Sequence, residues 1–309
     1  MKTPALDLLH RAYGKFGIAA FNVFTAEQIH GVFGGAADAQ IPIIVQVTPA
    51  ARNYLHPGFI EGLITAAATI YYSTDFSMHL DHGNMEHCLD AIESGFYDSV
   101  MIDASHENFE TNIAMTSEIV ARAHANGIAV EAELGVLRGI EDDLNVSDEK
   151  ARYTDPRQVV EFVERTKADS LAVAVGTSHG AYKFSGNSGL QIDILKEIQQ
   201  QLPGFPIVLH GASNVPQSEI TRINQAGGKI KSSAKGVDEH ELLEAIAYGV
   251  TKINIATDMR LIWARVHREF FGQTPEQFDP ILPGKKYIEE LKVFVKQKCQ
   301  SLILASNEH

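Results

Sequence analysis

Apolar residues in this chain come in short runs, each closed off by Gly, Pro or polar residues. GIAAFNV (17–23) is followed by PIIVQVT (42–48), FSMHLDH (76–82), SVMIDAS (99–105), IAVEAELG (128–135), SLAVAVG (170–176), PIVLHGAS (206–213) and KINIAT (252–257). Runs this continuous in hydrophobicity predict strands buried on both faces, as in parallel sheets. Between them the apolar spacing turns helical. TAEQIHGVFGGAADAQ opens on a capping Thr25, and MEHCLDAIESG sets Met85, Cys88, Leu89 and Ile92 at helical offsets and stops at Gly95. NFETNIAMTSEIVARAHANG behaves the same way, as does DPRQVVEFVERTKA, which opens with Asp155 and Pro156 as cap and first turn. Eight strand–helix units without a linker predict one α/β domain over 1–309, a closed (β/α)8 TIM barrel. The count of eight argues against a doubly wound sheet. Residues 258–309 read as extra C-terminal helices with a break at FDPILPGKK. QLPGFP and GGKIKSSAKG read as loops rather than domain boundaries.

In a barrel of this kind chemistry sits at the carboxyl ends of the strands. Those ends carry Asn22, the pair Asp81-His82, Asp103, Glu131 and Glu133, Thr177-Ser178-His179-Gly180, His210-Gly211-Ala212-Ser213, and Asn254 with Thr257. A single His at a strand end is ordinarily just a hydrogen-bonded residue. Three of them on strands three, six and seven, His82, His179 and His210, make a catalytic-type zinc set with a position left open. The separations are no motif, so this reading depends on the strand assignment. Asp81 precedes His82 and in a regular strand would face the other way, a rule that loosens where a strand frays. Glu133 and Asp103 are candidates for carboxylates that orient the imidazoles, with Glu133 also an alternative ligand; the plainer reading is a pair of buried hydrogen-bond acceptors. Gly and polar residues following strands six to eight read either as ordinary turns or as a phosphate cradle of backbone N–H groups, with Lys183 adding charge; three such tracts in consecutive loops favour the cradle.

Composition narrows the field. The chain has 309 residues, 45% of them apolar, with a formal net charge of −13. That balance argues against nucleic acid as a partner, which needs Lys/Arg clusters, but leaves an anionic small molecule open. Cys88 and Cys299 match no metal or disulfide spacing, as expected of a reducing compartment. No apolar run approaches a membrane span, and MKTPALDLLHRAYGKFG lacks a signal-peptide core, so the expectation is a soluble cytoplasmic protein.

HLDHG, SVMIDASH, VEAELG, GIEDD, AVGTSHGAYKF, VLHGAS and KINIAT, in this order and over nearly the whole chain, resemble the class II, metal-dependent ketose-1,6-bisphosphate aldolases, fructose- and tagatose-bisphosphate types alike. The resemblance implies a (β/α)8 barrel assembled as a homodimer or homotetramer. It implies Zn2+ on His82, His179 and His210. Asp81 matches the acid/base at the aldehyde-forming hydroxyl, and Glu141 the carboxylate that moves the proton on the dihydroxyacetone phosphate carbon. Gly180, Lys183, Gly211, Ser213, Asn254 and Thr257 match the ketose-phosphate cradle. Gly180 and Gly211 also fall where relatives offer carbonyls to a sodium or potassium ion. Asn22 matches a residue near the enediolate, Arg260 and Lys285 match groups for the far phosphate, and Thr48 stands where the family usually has Ser. Ala256 replaces the Asp of many fructose-specific members and matches tagatose-type ones, whereas the GGKIKSSAKGV stretch and AYKF match fructose-type members; the weight falls on fructose 1,6-bisphosphate.

The other aldolase chemistry needs a strand-borne lysine for a Schiff base. Strands one to seven have none, and Lys252 is expected only at the start of strand eight, which favours the metal route. A metallohydrolase barrel would want H-x-H in strand one, absent from GIAAFNV. A barrel that only binds a phosphosugar would be expected to have lost part of the set Asp81, His82, Glu141, His179 and His210, all of which are present.

Overall fold

The computed structural model describes residues 1–136, 138–141, 144–146, 152–179, 189–231 and 233–304; of 138–141, 144–146 and 179 it describes the backbone only. In chain order the elements begin with α1 (Ala5–Ala12), β1 (Ile18–Asn22), α2 (Ala26–Ala39), β2 (Ile43–Val47), α3 (Pro49–Leu55), α4 (Pro57–Ile70), β3 (Phe76–Gly83), α5 (Met85–Ser94), β4 (Ser99–Ile102), α6 (Phe109–His124) and β5 (Ala129–Leu134). They continue with β6 (Arg138–Glu141), β7 (Leu144–Val146), α7 (Pro156–Thr166), β8 (Ser170–Val173), β9 (Ser178–His179), α8 (Ile192–Gln201), β10 (Ile207–Leu209), α9 (Gln217–Gln225), α10 (Glu239–Ala247), β11 (Val250–Ile255), α11 (Thr257–Gln273) and α12 (Ile281–Ser301).

Eight strands close into a barrel in the order β1-β11-β10-β8-β5-β4-β3-β2, all parallel. The predicted TIM barrel with extra C-terminal helices is therefore the fold. The helix signals act as read: Thr25 Oγ1 accepts the Gln28 N–H, Asp155 caps α7 ahead of Pro156, and Gly95 ends α5 in the left-handed region. α1 packs against β1, β3 and β11, and its Leu8, Leu9 and Ala12 meet Ile18, Ala20 and Ile44 of the barrel floor. α12 lies along α2, where Gly35 lets the helices touch. A Cβ there would stand 2.6 Å from both the Lys292 carbonyl oxygen and Val295 Cβ.

Strand alternation divides the barrel wall. Phe21, Val45, Val47, Leu80, Val130, Leu171, Leu209, Ile253 and Ile255 join the main apolar core under the helices. Their neighbours Asn22, Gln46, Asp81, Glu131, Lys252 and Asn254 hydrogen-bond across strands, and His79 Nε2 faces Glu131 Oε2 at 3.6 Å, so the upper interior is polar. The runs look uniformly apolar only because such residues were too few to break them.

Three sequence expectations need correction. The strands read as 170–176 and 206–213 stop at Val173 and Leu209, where glycines with positive φ follow (Gly176, Gly211). His179 is not on the wall strand β8. It belongs to β9, which joins β6 and β7 in a small sheet of order β7-β6-β9. The last barrel strand starts at Val250, which puts Lys252 inside it.

Candidate active site

β3 builds the centre of the site through an irregularity. The pairing of β3 with β4 shifts register between Leu80 and Gly83, and His82 has φ = 51°. A non-glycine residue in that region is strained, and such strain persists where the surroundings enforce it. The consequence is geometric: alternation fails for one step, and Asp81 and His82 both serve the same rim. Ligand atoms of Asp81, His82 and His210 all lie within 4.8 Å of one another, as do those of His82, Asp103 and Glu133.

Asp81 is fully buried and held by amides. Asn22 Nδ2 donates to its Oδ2 at 2.7 Å, Gln46 Nε2 to the same oxygen at 3.2 Å, and Asn254 Nδ2 to Oδ1 at 3.1 Å. Gln46 Nε2 also donates to Asn22 Oδ1 at 2.8 Å, which fixes the Asn22 amide. Register explains the grouping, since Asn22 pairs with Gln46 and Ala20 with Asn254.

The imidazoles of His82 and His210 are each oriented by a carboxylate. His82 Nδ1 lies 2.9 Å from Asp103 Oδ2, and Asp103 Oδ1 accepts the Ser105 hydroxyl at 2.8 Å and its N–H at 3.2 Å. Burial would raise the Asp103 pKa, but His82 and Ser105 outweigh it and hold the carboxyl well below its usual range. His210 Nε2 lies 2.7 Å from Glu131 Oε1, and its Nδ1 is 3.8 Å from Glu133 Oε2. Burial lowers the His210 pKa against the pull of Glu131, which favours the neutral ring in this contact. Glu131 also receives Lys252 Nζ on Oε2 at 2.8 Å. Burial alone would raise its pKa; the Lys252 charge, the hydrogen bond from His210 and the nearby His79 hold it well below the carboxylate range. His79, with Nδ1 at 2.7 Å from Ser99 Oγ, is pushed down to about 3, by burial first and then by the Lys252 charge.

This donor set fits a divalent ion of zinc's type. A carboxylate on one ring nitrogen assigns the proton there and turns the other nitrogen's lone pair to a metal. The two ring centroids lie 4.6 Å apart, in a pocket that also offers carboxylate oxygen.

The family model for class II fructose-bisphosphate aldolase matches residues 3–308. The chain belongs to that family. It is 42% identical over 285 residues to a fructose-bisphosphate aldolase of Giardia intestinalis, covering 90% of this chain and 86% of the relative. It is 39% identical over 303 residues to that of Thermus caldophilus, covering 97% and 96%. Among solved structures, the YdjI aldolase of Escherichia coli K12 superposes with a TM-score of 0.78 at 28% identity, over 98% of this chain and 97% of the other. The family is that of zinc-dependent carbon–carbon lyases of carbohydrate metabolism, whose reaction is aldol cleavage of fructose 1,6-bisphosphate.

The other expected site residues of this aldolase are scattered more widely. Ser213 Oγ accepts the Ala256 N–H at 3.3 Å, just before Thr257 opens α11. Gly211 has φ = 59°, and a Cβ on it would stand 2.5 Å from the Ser178 carbonyl oxygen, so the loop after β10 presses on β9. Thr48 Oγ1 caps α3 through the Ala51 N–H. It shares a groove of about 310 Å³ with Tyr54 and Arg260, whose guanidinium sits 5.4 Å over the Phe24 ring. Lys285 is exposed near the start of α12. Gly180 and Lys183 lie outside the described residues, as do the side chains of Glu141 and His179; the backbone places Glu141 on β6, which pairs with β9.

Sequence reasoning assigned no role to Gln46, His79, Glu131 or Lys252. Gln46 carried a signal, a lone polar residue inside an apolar run, whereas Lys252 opened its run beside Thr251 and Asn254 and did not stand out. Glu131 and Glu133 sit two apart and so face the same side, and Glu131 proves to be the carboxylate on His210. Lys252, expected only at the start of the last barrel strand, is buried within β11. It is no Schiff-base candidate by this geometry, because its ammonium is engaged by Glu131.

Proposed function

We propose that this aldolase reversibly cleaves fructose 1,6-bisphosphate to dihydroxyacetone phosphate and glyceraldehyde 3-phosphate, with zinc held by His82, His179 and His210. The observation that carries the reading is Asp81, a buried carboxylate fixed by three amides, with its oxygen within 4.8 Å of ligand nitrogens on His82 and His210. Bound there, zinc would supply positive charge against the negative charge that develops on the substrate's C2 oxygen. Asp81 takes the proton of the C4 hydroxyl, the C3–C4 bond breaks, and C4 leaves as the aldehyde. The electron pair stays on C3 in conjugation with C2, and Glu141 returns a proton to C3. The three amides keep Asp81 oriented toward the hydroxyl, while Asp103 and Glu131 hold the imidazoles of His82 and His210 in the binding tautomer, and Glu133 stands beside them as an alternative ligand.

Gly211, Ser213, Asn254 and Thr257, with Gly180 and Lys183, form the ketose-phosphate cradle; Arg260 and Lys285 take the far phosphate, and Thr48 lines the groove beside Arg260. Carbonyls of Gly180 and Gly211 hold a monovalent cation. The chain acts as a single domain in a cytoplasmic homo-oligomer; two buried, unbridged cysteines support a reducing compartment, and among the described residues no helix is long and apolar enough to cross a membrane. Ala256 favours a second substrate, tagatose 1,6-bisphosphate. A coupled assay of both sugars, before and after chelation, tests the proposal. Cleavage abolished by chelator and restored by zinc is expected, faster on the fructose sugar; chelator-resistant cleavage would refute the metal assignment.

A further inference from the structure

Lys298 stands in the last turn of α12, only 6% exposed, and nothing in the chemistry above uses it. Its Nζ donates to Asn214 Oδ1. Among the described residues no carboxylate lies within ion-pair distance of it, and burial pulls its pKa down against the charges of Asp258 and Glu239. A buried cation without a paired anion is unfavourable, and an apolar side chain of the same length would pack there at lower cost. The lysine must therefore be judged by what it holds.

It holds the loop that leaves β10 at His210. With Lys298 on Oδ1, the Asn214 amide can only present Nδ2 to the other side, where it donates to the Val237 carbonyl at 2.7 Å. The backbone N–H groups of Asn214 and Val215 donate to the two oxygens of Asp258, at 2.9 and 2.8 Å. Asp258 is buried in the first turn of α11. Val215 has φ = 50°, a conformation that a β-branched residue keeps only under outside restraint. Immediately upstream, the Ser213 carbonyl accepts the Val237 N–H at 3.1 Å, and its hydroxyl is tied to Ala256. The loop is thus pinned from α11, from α12 and from the 236–238 segment, between the imidazole of His210 and the strained Val215.

We propose that Lys298 and Asp258 are positioning residues, a clamp that holds the 210–215 loop in the shape that presents Gly211 and Ser213 to a phosphate group. The inference rests on the aldolase reading for the identity of the phosphate and adds the device that pre-forms its cradle. Anion binding by backbone N–H groups requires their peptide planes to be set in advance. Releasing the clamp lets Val215 relax toward negative φ, which turns the peptide planes upstream of it.

The test uses full-length, zinc-loaded protein carrying Lys298→Met, Lys298→Arg or Asp258→Asn. Inorganic phosphate is titrated by calorimetry, and kcat and KM for fructose 1,6-bisphosphate are measured with zinc content. Lys298→Met and Asp258→Asn should raise KM and the phosphate Kd together by about tenfold, with kcat within about twofold and full zinc. Lys298→Arg, which keeps a donor, should recover part of the loss. Unchanged phosphate affinity and KM in both variants, with only a lower melting temperature, would overturn the proposal. So would a fall in zinc and kcat at constant KM, which would place the effect on the metal. If Lys298→Met fails to fold, the isosteric Asp258→Asn carries the test. Wild-type protein that bound phosphate but cleaved neither sugar would remove the aldolase reading and leave the clamp to stand or fall on the titration; wild-type protein that bound no phosphate would overturn the clamp itself.

Discussion

Replacing Lys252 by Met tests whether the barrel centre depends on one buried charge pair. Lys252 is 1% and Glu131 2% exposed, and Nζ lies 2.8 Å from Oε2. Methionine nearly matches the length and bulk of lysine, so the change removes charge with little change in volume. Glu131 keeps its hydrogen bond to His210 but loses the cation that does most to offset its desolvation. Breaking a buried pair from one side costs about 3–5 kcal/mol, against a total of roughly 5–15 kcal/mol for a domain. The measurement is urea unfolding followed by circular dichroism on protein stripped of metal, since bound metal adds its own stabilisation by mass action. The midpoint should fall at unchanged m-value. The double variant Lys252→Met/Glu131→Gln should recover most of the loss, because no uncompensated charge is left inside. A single variant within about 1 kcal/mol of wild type, or a double variant no better than the single, would refute the view that the pair organises the interior.

Four further outcomes follow from the same geometry. Asp103→Ala should weaken zinc binding by about 10–100-fold by removing the partner of His82 Nδ1, as read by competition with a chelator; unchanged affinity would deny Asp103 its orienting role. Borohydride added with dihydroxyacetone phosphate should leave Lys252 unmodified in mass spectra, and a reduced adduct on it would mean Schiff-base chemistry after all. His79 is held neutral down to about pH 3, whereas unfolded histidine titrates near 6.5, so below that value the unfolded state binds the extra proton and stability falls. Between pH 7 and 5 the wild type should therefore lose about 2 kcal/mol more than His79→Gln, and equal losses would contradict a buried neutral imidazole. Gly35→Ala should lower unfolding stability by about 1–3 kcal/mol, because its Cβ meets α12 backbone, while KM stays unchanged.

The regular part of the molecule was legible because it rests on local rules. Eight apolar runs became the eight barrel strands, since residues buried under helices must be apolar whatever the chemistry above them. Thr25, Gly95 and Asp155-Pro156 marked helix ends because a cap or a left-handed residue acts within a few positions of itself. Strand ends were less legible. Past Val173 and Leu209 the chain stays buried beyond the last ladder hydrogen bond, at Val175, His210 and Ala212 among others, and so the strands were read several residues too long.

The chain's own pattern determined that it would close a parallel barrel and that Asp81, His82 and His210 would stand at strand ends on one rim. Tertiary structure decided how those residues work. A one-step irregularity at His82 turns two neighbours that should face apart toward one pocket, and no residue type announces a register shift. Glu131 finds His210 across 79 positions of sequence and Lys252 across 121. Lys298 meets Asn214 across 84. Such pairs form because a closed barrel and its outer helices force polar groups into a space without water, where each must find whichever partner the fold brings near. Sequence spacing carries no trace of that choice.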